Sequence, residues 1–118
     1  MVSQTTISDF TISPAKPLSV NQAFLGKKIK SKAYRDYEEH LIAVLPDLII
    51  PEGPLELRMV VYYPSRRSDL DNALKPFIDV LQKRYGFNDN RIDKLVVIKR
   101  FDKVRPHIAF AFLEYSPT

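Results

Sequence analysis

The run LELRMVVYY, Leu55 to Tyr63, constrains this chain more than any other stretch. Leu55, Leu57, Met59, Val61 and Tyr63 alternate with Glu56, Arg58 and Val60, and on an extended chain side chains two apart share a face. The alternation predicts a strand with one side in a core, and Pro64, which cannot donate to a ladder, ends it. Downstream, LKPFIDVLQKRYG changes the period. Leu74, Phe77, Ile78 and Leu81 fall at i, i+3, i+4 and i+7, an apolar stripe that predicts a helix laid on a core. Gly86 suits the position that closes it, and Pro76 is tolerated where the helix has only just begun.

The flanking segments extend the pattern. SKAYRDYEEHLIAVL reads as a helix with Ser31 as its N-cap, with Tyr34, Tyr37, Leu41 and Val44 at helical spacing and Pro46 as its stop. TTISDFTIS, Thr5 to Ser13, reads as a short strand. KLVVIKRF and HIAFAFLEY read as two more, joined as a hairpin by a basic turn around Lys103 to Pro106. PAKPLSVNQAFLGKKIKSK, with two prolines and closely spaced lysines, reads as a long loop over about residues 14–31. The expectation is one α+β domain over residues 1–118, a mixed β-sheet with two main helices in the order β-α-β-α-β-β.

Composition narrows the chemistry. The chain has no cysteine, which excludes disulfides, thiolate metal sites and thiol nucleophiles. Gly26, Gly53 and Gly86 are the only glycines, so no glycine-rich phosphate loop exists. His40 and His107 each lack a second histidine nearby, which argues against zinc. Net charge is +4, and the cations are clustered. Lys16, Lys27, Lys28, Lys30, Lys32 and Arg35 run without an acid among them, and Lys94, Lys99, Arg100, Lys103 and Arg105 form a second zone. Clusters of this kind suit a phosphate backbone, where each cation releases condensed counterions. The start lacks the basic and apolar regions of a secretory signal, and no apolar run approaches the roughly 18 residues of a membrane span, so a cytoplasmic protein without a membrane partner is expected.

Within this basic chain, RRSDLDNALK (Arg66 to Lys75) places two carboxylates one residue apart. Ser68-x-x-Asp71 resembles a capping box, and acids in a first turn complement the helix dipole. Alternatively, if the chain stays extended through Asp69 and Asp71, both carboxylates point to one side, a geometry for a hard cation that prefers oxygen ligands. A third acid is then needed. Asp89 in the following turn is the first candidate and Asp93 the weaker one. Lys75 lies four residues from both Asp71 and Asp79, so it either makes ordinary helix ion pairs or stands beside a cation to steady charge on a phosphate, with Asp79 holding it.

RRSDLDNALKPFIDVL followed by FNDNRI resembles the RusA family of Holliday junction resolvases of bacteria and phages. That family's pattern is an acidic pair in D-[LI]-D-N, a lysine four residues after the second acid, a D-A-L-like helix segment and an aspartate in a D-x-x-[IV] turn. The matching positions are Asp69, Leu70, Asp71 and Asn72, then Lys75, then Asp79 to Leu81, then Asp89 to Ile92. PLSVNQAF and AYRDY are also similar, so the likeness runs over most of the chain. Some members carry a second acid before the last aspartate, where this chain has Asn88. The resemblance implies a magnesium- or manganese-dependent endodeoxyribonuclease, a homodimer that cuts four-way DNA junctions in recombination and repair, in a bacterial or phage-infected cell at the nucleoid. It implies Asp69, Asp71 and Asp89 as the Mg²⁺ ligands, with Mn²⁺ a possible substitute, and Lys75 as the catalytic lysine. Arg66, Arg67, Lys27, Lys28, Lys30 and Lys32 are the candidate DNA contacts. The competing expectation is a non-catalytic nucleic-acid-binding protein of a phage recombination system, whose acids only cap the helix.

Overall fold

A computed structural model describes residues 10–26 and 29–116. In chain order the elements are β1 (Thr11–Ser13), a one-turn helix α1 (Val20–Ala23), α2 (Lys32–Val44), β2 (Leu55–Tyr63), α3 (Leu74–Tyr85), a 3₁₀ turn (Asp89–Arg91), β3 (Ile92–Phe101) and β4 (His107–Glu114). This is the α+β arrangement that the periodicities predict, with one mixed sheet and two main helices. The first half of the strand expected over Thr5 to Ser13 lies outside the described residues, as do Lys27 and Lys28.

The sheet order is β1-β4-β2-β3. β2 is central, with β3 parallel along one side (Leu55 opposite Ile92 to Tyr63 opposite Phe101) and β4 antiparallel along the other. The hairpin expected between β3 and β4 is therefore not formed. The backbone N–H of Asp102 donates to the carbonyl of Tyr63 at 2.8 Å, carrying the chain across the end of β2 instead of back along β3. Asp102 Oδ1 then accepts from the N–H groups of Val104 and Arg105 at 3.0 and 2.9 Å, closing the turn that leads into β4.

The alternation in β2 reports its faces correctly: Leu55, Leu57, Met59 and Val61 are fully buried and Tyr63 nearly so. Helix α3 lays Phe77, Val80 and Leu81 into the same core, and the rings of Phe77 and Phe110 meet edge-on at 5.4 Å, tying α3 to β4. Each such buried side chain contributes about 1.5–3 kcal/mol. Pro76 is buried in the first turn of α3, where the missing N–H has no partner to lose. From α2 come Tyr34, Tyr37 and Leu41, but Val44 is exposed and Leu45 takes the inward place. Leu45 is extended, as the residue before Pro46 must be, and that rotation ends the helix. Ser31 caps α2 as expected, accepting from the N–H of Tyr34 at 3.1 Å.

The segment read as a plain loop contains α1, closed by a capping box in which Ser19 and Gln22 serve each other's backbone. Beyond it, the N–H of Leu25 bonds the carbonyl of Ile29 at 2.7 Å and that of Ser31 bonds the carbonyl of Ala23 at 2.8 Å, so residues 23–25 and 29–31 run antiparallel around an isolated bridge between Phe24 and Lys30. Among the described residues no helix is long and apolar enough to cross a membrane.

Candidate functional site

Between the end of β2 and the start of α3 the chain carries Arg66, Arg67, Asp69 and Asp71, and three separate elements fasten it. The Tyr63 hydroxyl donates to the carbonyl of Leu70 at 3.2 Å and accepts from the N–H of Ala73 at 3.1 Å. Lys99 on β3 donates its Nζ to the carbonyl of Arg66 at 2.9 Å and to that of Ser68. The N–H of Val20, opening α1, donates to the carbonyl of Asn72 at 3.0 Å. A loop of this length held at three carbonyl clusters is a fixed platform, which is what a site for chemistry needs.

Neither aspartate caps α3. Its N-cap is Ala73, with no side-chain hydrogen bond and no acid in the first turn, so the Ser68-x-x-Asp71 capping box is not formed. Nor is the chain extended through the pair. It turns, with the N–H of Asn72 on the carbonyl of Asp69 and that of Leu74 on the carbonyl of Asp71, both at 3.2 Å. The two carboxylates are exposed, and among the described residues they accept no hydrogen bond and enter no ion pair. Both charges still reach one phenol: burial pushes Tyr63 up, the Ala73 N–H opposes this, and Asp71 and Asp69 add to the rise.

Asp89 opens the 3₁₀ turn. Asn88 caps that turn, its Oδ1 accepting from the N–H of Asn90 at 2.9 Å, which gives the residue standing in place of a second acid a structural task. The N–H of Asp89 donates to Oε1 of Gln82 at 2.8 Å, while its carboxylate is exposed. Among the described residues no group of three histidine, cysteine or acidic side chains stands close enough to hold a metal ion. Asp69 and Asp71 thus share one loop, Asp89 stands in a separate turn, and the three do not form a ready-made cluster. Their side chains offer carboxylate oxygens, the donor type that hard cations take, and among the described residues none of the three is engaged by a cap or a cation.

Lys75 sits in the first turn of α3 with its Nζ 3.3 Å from Asp79 Oδ2. That carboxylate also accepts from the Tyr34 hydroxyl at 3.2 Å and from Gln82 Nε2 at 3.4 Å. Three donors occupy Asp79, so it serves as a holder of Lys75. Burial pushes the Tyr34 phenol far up, and the neighbouring Asp79 charge adds to it, so Tyr34 remains a donor across the working pH range. Lys75 and Asp79 line an open cleft of about 480 Å³ with Val20, Asn21, Phe24 and Gly26.

The basic residues divide. Arg66 stacks over the ring of Phe101 at 4.8 Å and, with Lys99 and Arg100, lines a second cleft of about 450 Å³ beside the aspartate loop. Arg67 is exposed. Lys30 pairs with Glu38 at 3.1 Å and Lys32 with Asp36 at 2.7 Å, so both already have a carboxylate partner. Sequence reasoning placed Tyr63 in the core and Lys99 in a basic zone but missed that both fasten the loop. Their acceptors are backbone carbonyls, which leave no mark on a sequence. Gln82 was missed as well, and its only signal is a polar residue one turn beyond Asp79.

The family model described as Endodeoxyribonuclease RusA matches residues 14–110 of the 118-residue chain. None of the curated proteins compared with the chain matches it. The matched stretch includes α1, the aspartate loop, Lys75, Asp79, Asp89 and the start of β4.

Proposed function

Since the chain belongs to the RusA endodeoxyribonuclease family, we propose that it resolves four-way DNA junctions by metal-dependent phosphodiester hydrolysis, with paired symmetric nicks, in DNA recombination and repair. The observation that carries this reading is the freedom of Asp69 and Asp71. Helix α3 is capped at Ala73, and both carboxylates stand exposed on a fastened loop without a partner among the described residues. An acid pair that only capped a helix would have its oxygens on backbone N–H groups.

Asp69, Asp71 and Asp89 would hold Mg²⁺, with Mn²⁺ as a substitute, and the bound ion would supply Lewis-acid chemistry at the phosphate. Lys75, oriented by Asp79, offsets the negative charge that develops on the phosphate. Arg66 and Arg67, beside the acids, hold the DNA backbone in register, and Lys27, Lys28, Lys30 and Lys32 add phosphate contacts. Two symmetric cuts require two sites related by the same symmetry, so the partner is a second copy in a two-fold dimer. Such an enzyme acts on DNA in the cytoplasm of a bacterial or phage-infected cell, at the nucleoid. The reading is tested by incubating a labelled four-way junction and a linear duplex with the protein in Mg²⁺ or in EDTA. Nicks in the junction alone, lost in EDTA, are expected. Tight binding without nicks under either condition would contradict it.

A further inference from the structure

We propose that Gln82 is a positioning residue that couples the turn carrying Asp89 to Lys75. The side chain spans two groups that the proposed reaction needs together. Its Oε1 accepts from the N–H of Asp89 at 2.8 Å, and its Nε2 donates to Asp79 Oδ1 at 3.4 Å. The other oxygen of Asp79 receives Lys75 Nζ at 3.3 Å and the Tyr34 hydroxyl at 3.2 Å. The links run Lys75, Asp79, Gln82, Asp89 without a gap.

The amide orientation follows from its partners. A backbone N–H offers only a donor and a carboxylate only acceptors, so the oxygen must face Asp89 and the nitrogen must face Asp79. A primary amide satisfies both from one planar group without taking up or losing a proton. The backbone of Gln82 acts in the same place. Its carbonyl accepts from the N–H groups of Gly86 and Phe87 at 2.9 and 3.3 Å, closing α3 just before the turn, with Gly86 in the left-handed conformation at φ 67°. The backbone of Gln82 thus fixes where the chain leaves the helix, and its side chain fixes where Asp89 follows. A shift of the Asp89 turn therefore reaches Lys75 through one carboxylate.

This assignment rests on the nuclease reading, and its test separates the two. Single-turnover cleavage of a four-way junction in Mg²⁺ is compared with junction binding in EDTA for wild type, Gln82→Ala, Gln82→Glu, Asp79→Ala and the Gln82→Ala/Asp79→Ala double variant. Amide hydrogen exchange at Asp89 is read in the free protein without metal or DNA. Gln82→Ala keeps the backbone carbonyl that closes α3. It should slow cleavage about tenfold or more, as misplacement of reacting groups does, with junction affinity unchanged and faster exchange at Asp89. Gln82→Glu retains the acceptor for Asp89 but sets a carboxylate against Asp79, so it should slow cleavage while leaving the Asp89 amide protected. The double variant should lose no more than the worse single variant, because the two residues act in one chain of contacts. Wild-type cleavage by Gln82→Ala, unchanged exchange at Asp89 in that variant, or losses that multiply in the double variant would overturn the assignment. A wild-type chain that never cleaves would sink the nuclease reading and this coupling with it, and that failure shows in the unmutated protein.

Discussion

The hydroxyl of Tyr63 donates to the carbonyl of Leu70 at 3.2 Å, so the last residue of β2 holds the residue that stands between the two exposed aspartates. The same oxygen accepts from the buried N–H of Ala73 at 3.1 Å. Tyr63→Phe keeps the ring in the core but strands both backbone groups. A buried donor left unpaired costs about 1–3 kcal/mol. Urea unfolding should therefore show a loss of that size, and cleavage should fall further than stability alone explains at temperatures where the variant remains folded. An unchanged unfolding midpoint would show that the hydroxyl fastens nothing.

Asp79→Ala removes the acceptor that holds Lys75 and leaves the Tyr34 hydroxyl without its partner. Cleavage should slow by about ten- to a hundredfold, within the range a misplaced charged group produces. Junction binding should hold or tighten, because a negative charge leaves a basic face. Single-turnover rates beside binding curves in EDTA decide this. Loss of binding in step with rate would mean that Asp79 serves the fold or the DNA contact instead.

Arg66 and Arg67 are expected to meet phosphates. Replacing either with alanine should weaken junction binding and lower the slope of log K against log salt by about one. Thermal stability should change little for Arg67, which is exposed, and slightly more for Arg66, which stacks on Phe101. A salt slope equal to that of wild type would remove them from the interface.

Glu38 is expected to contribute to the acid limb of stability. Burial alone would raise its carboxyl, but hydrogen bonds from Lys83 at 3.0 Å and Lys30 at 3.1 Å outweigh that, and the group is held below the usual carboxylate range. A depressed carboxyl stabilises the fold above its unfolded value, and that contribution is lost as pH falls through the lower, folded value. Stability should thus decline as the medium is acidified below the ordinary carboxylate range. Glu38→Gln should flatten that decline while lowering stability near neutrality. Chemical unfolding across acid pH tests this, and parallel curves for the two proteins would contradict it.

The parts of this fold legible in the sequence are those set by local rules. The bounds of β2 and α3 follow from Pro64, Gly86 and the change of period between them, and the observed elements match those bounds. Ser31 as the cap of α2 is legible for the same reason. Strand order was not, because β3 and β4 are both apolar enough to pair and nothing in either names its neighbour. The bond from Asp102 to Tyr63 that carries the chain over β2 is between backbone atoms. Helix α1 escaped notice because a single turn shows no period, although Ser19 and Gln22 carry the spacing of a capping box. At the site, the residue types were legible and their arrangement was not. The turn from Leu70 to Ala73 moves the start of α3 past both aspartates, which removes the capping role that their spacing alone allowed.

The most direct test of the central claim is the Asp71→Asn variant on a labelled four-way junction, with cleavage read in Mg²⁺ and affinity read in EDTA. The substitution keeps the side-chain shape and touches no hydrogen bond of the α3 cap. If Asp71 serves a cation, cleavage disappears while the unfolding midpoint stays and junction affinity holds or rises. Cleavage at the wild-type rate, or a loss of activity that follows only from a loss of folding, would contradict the account.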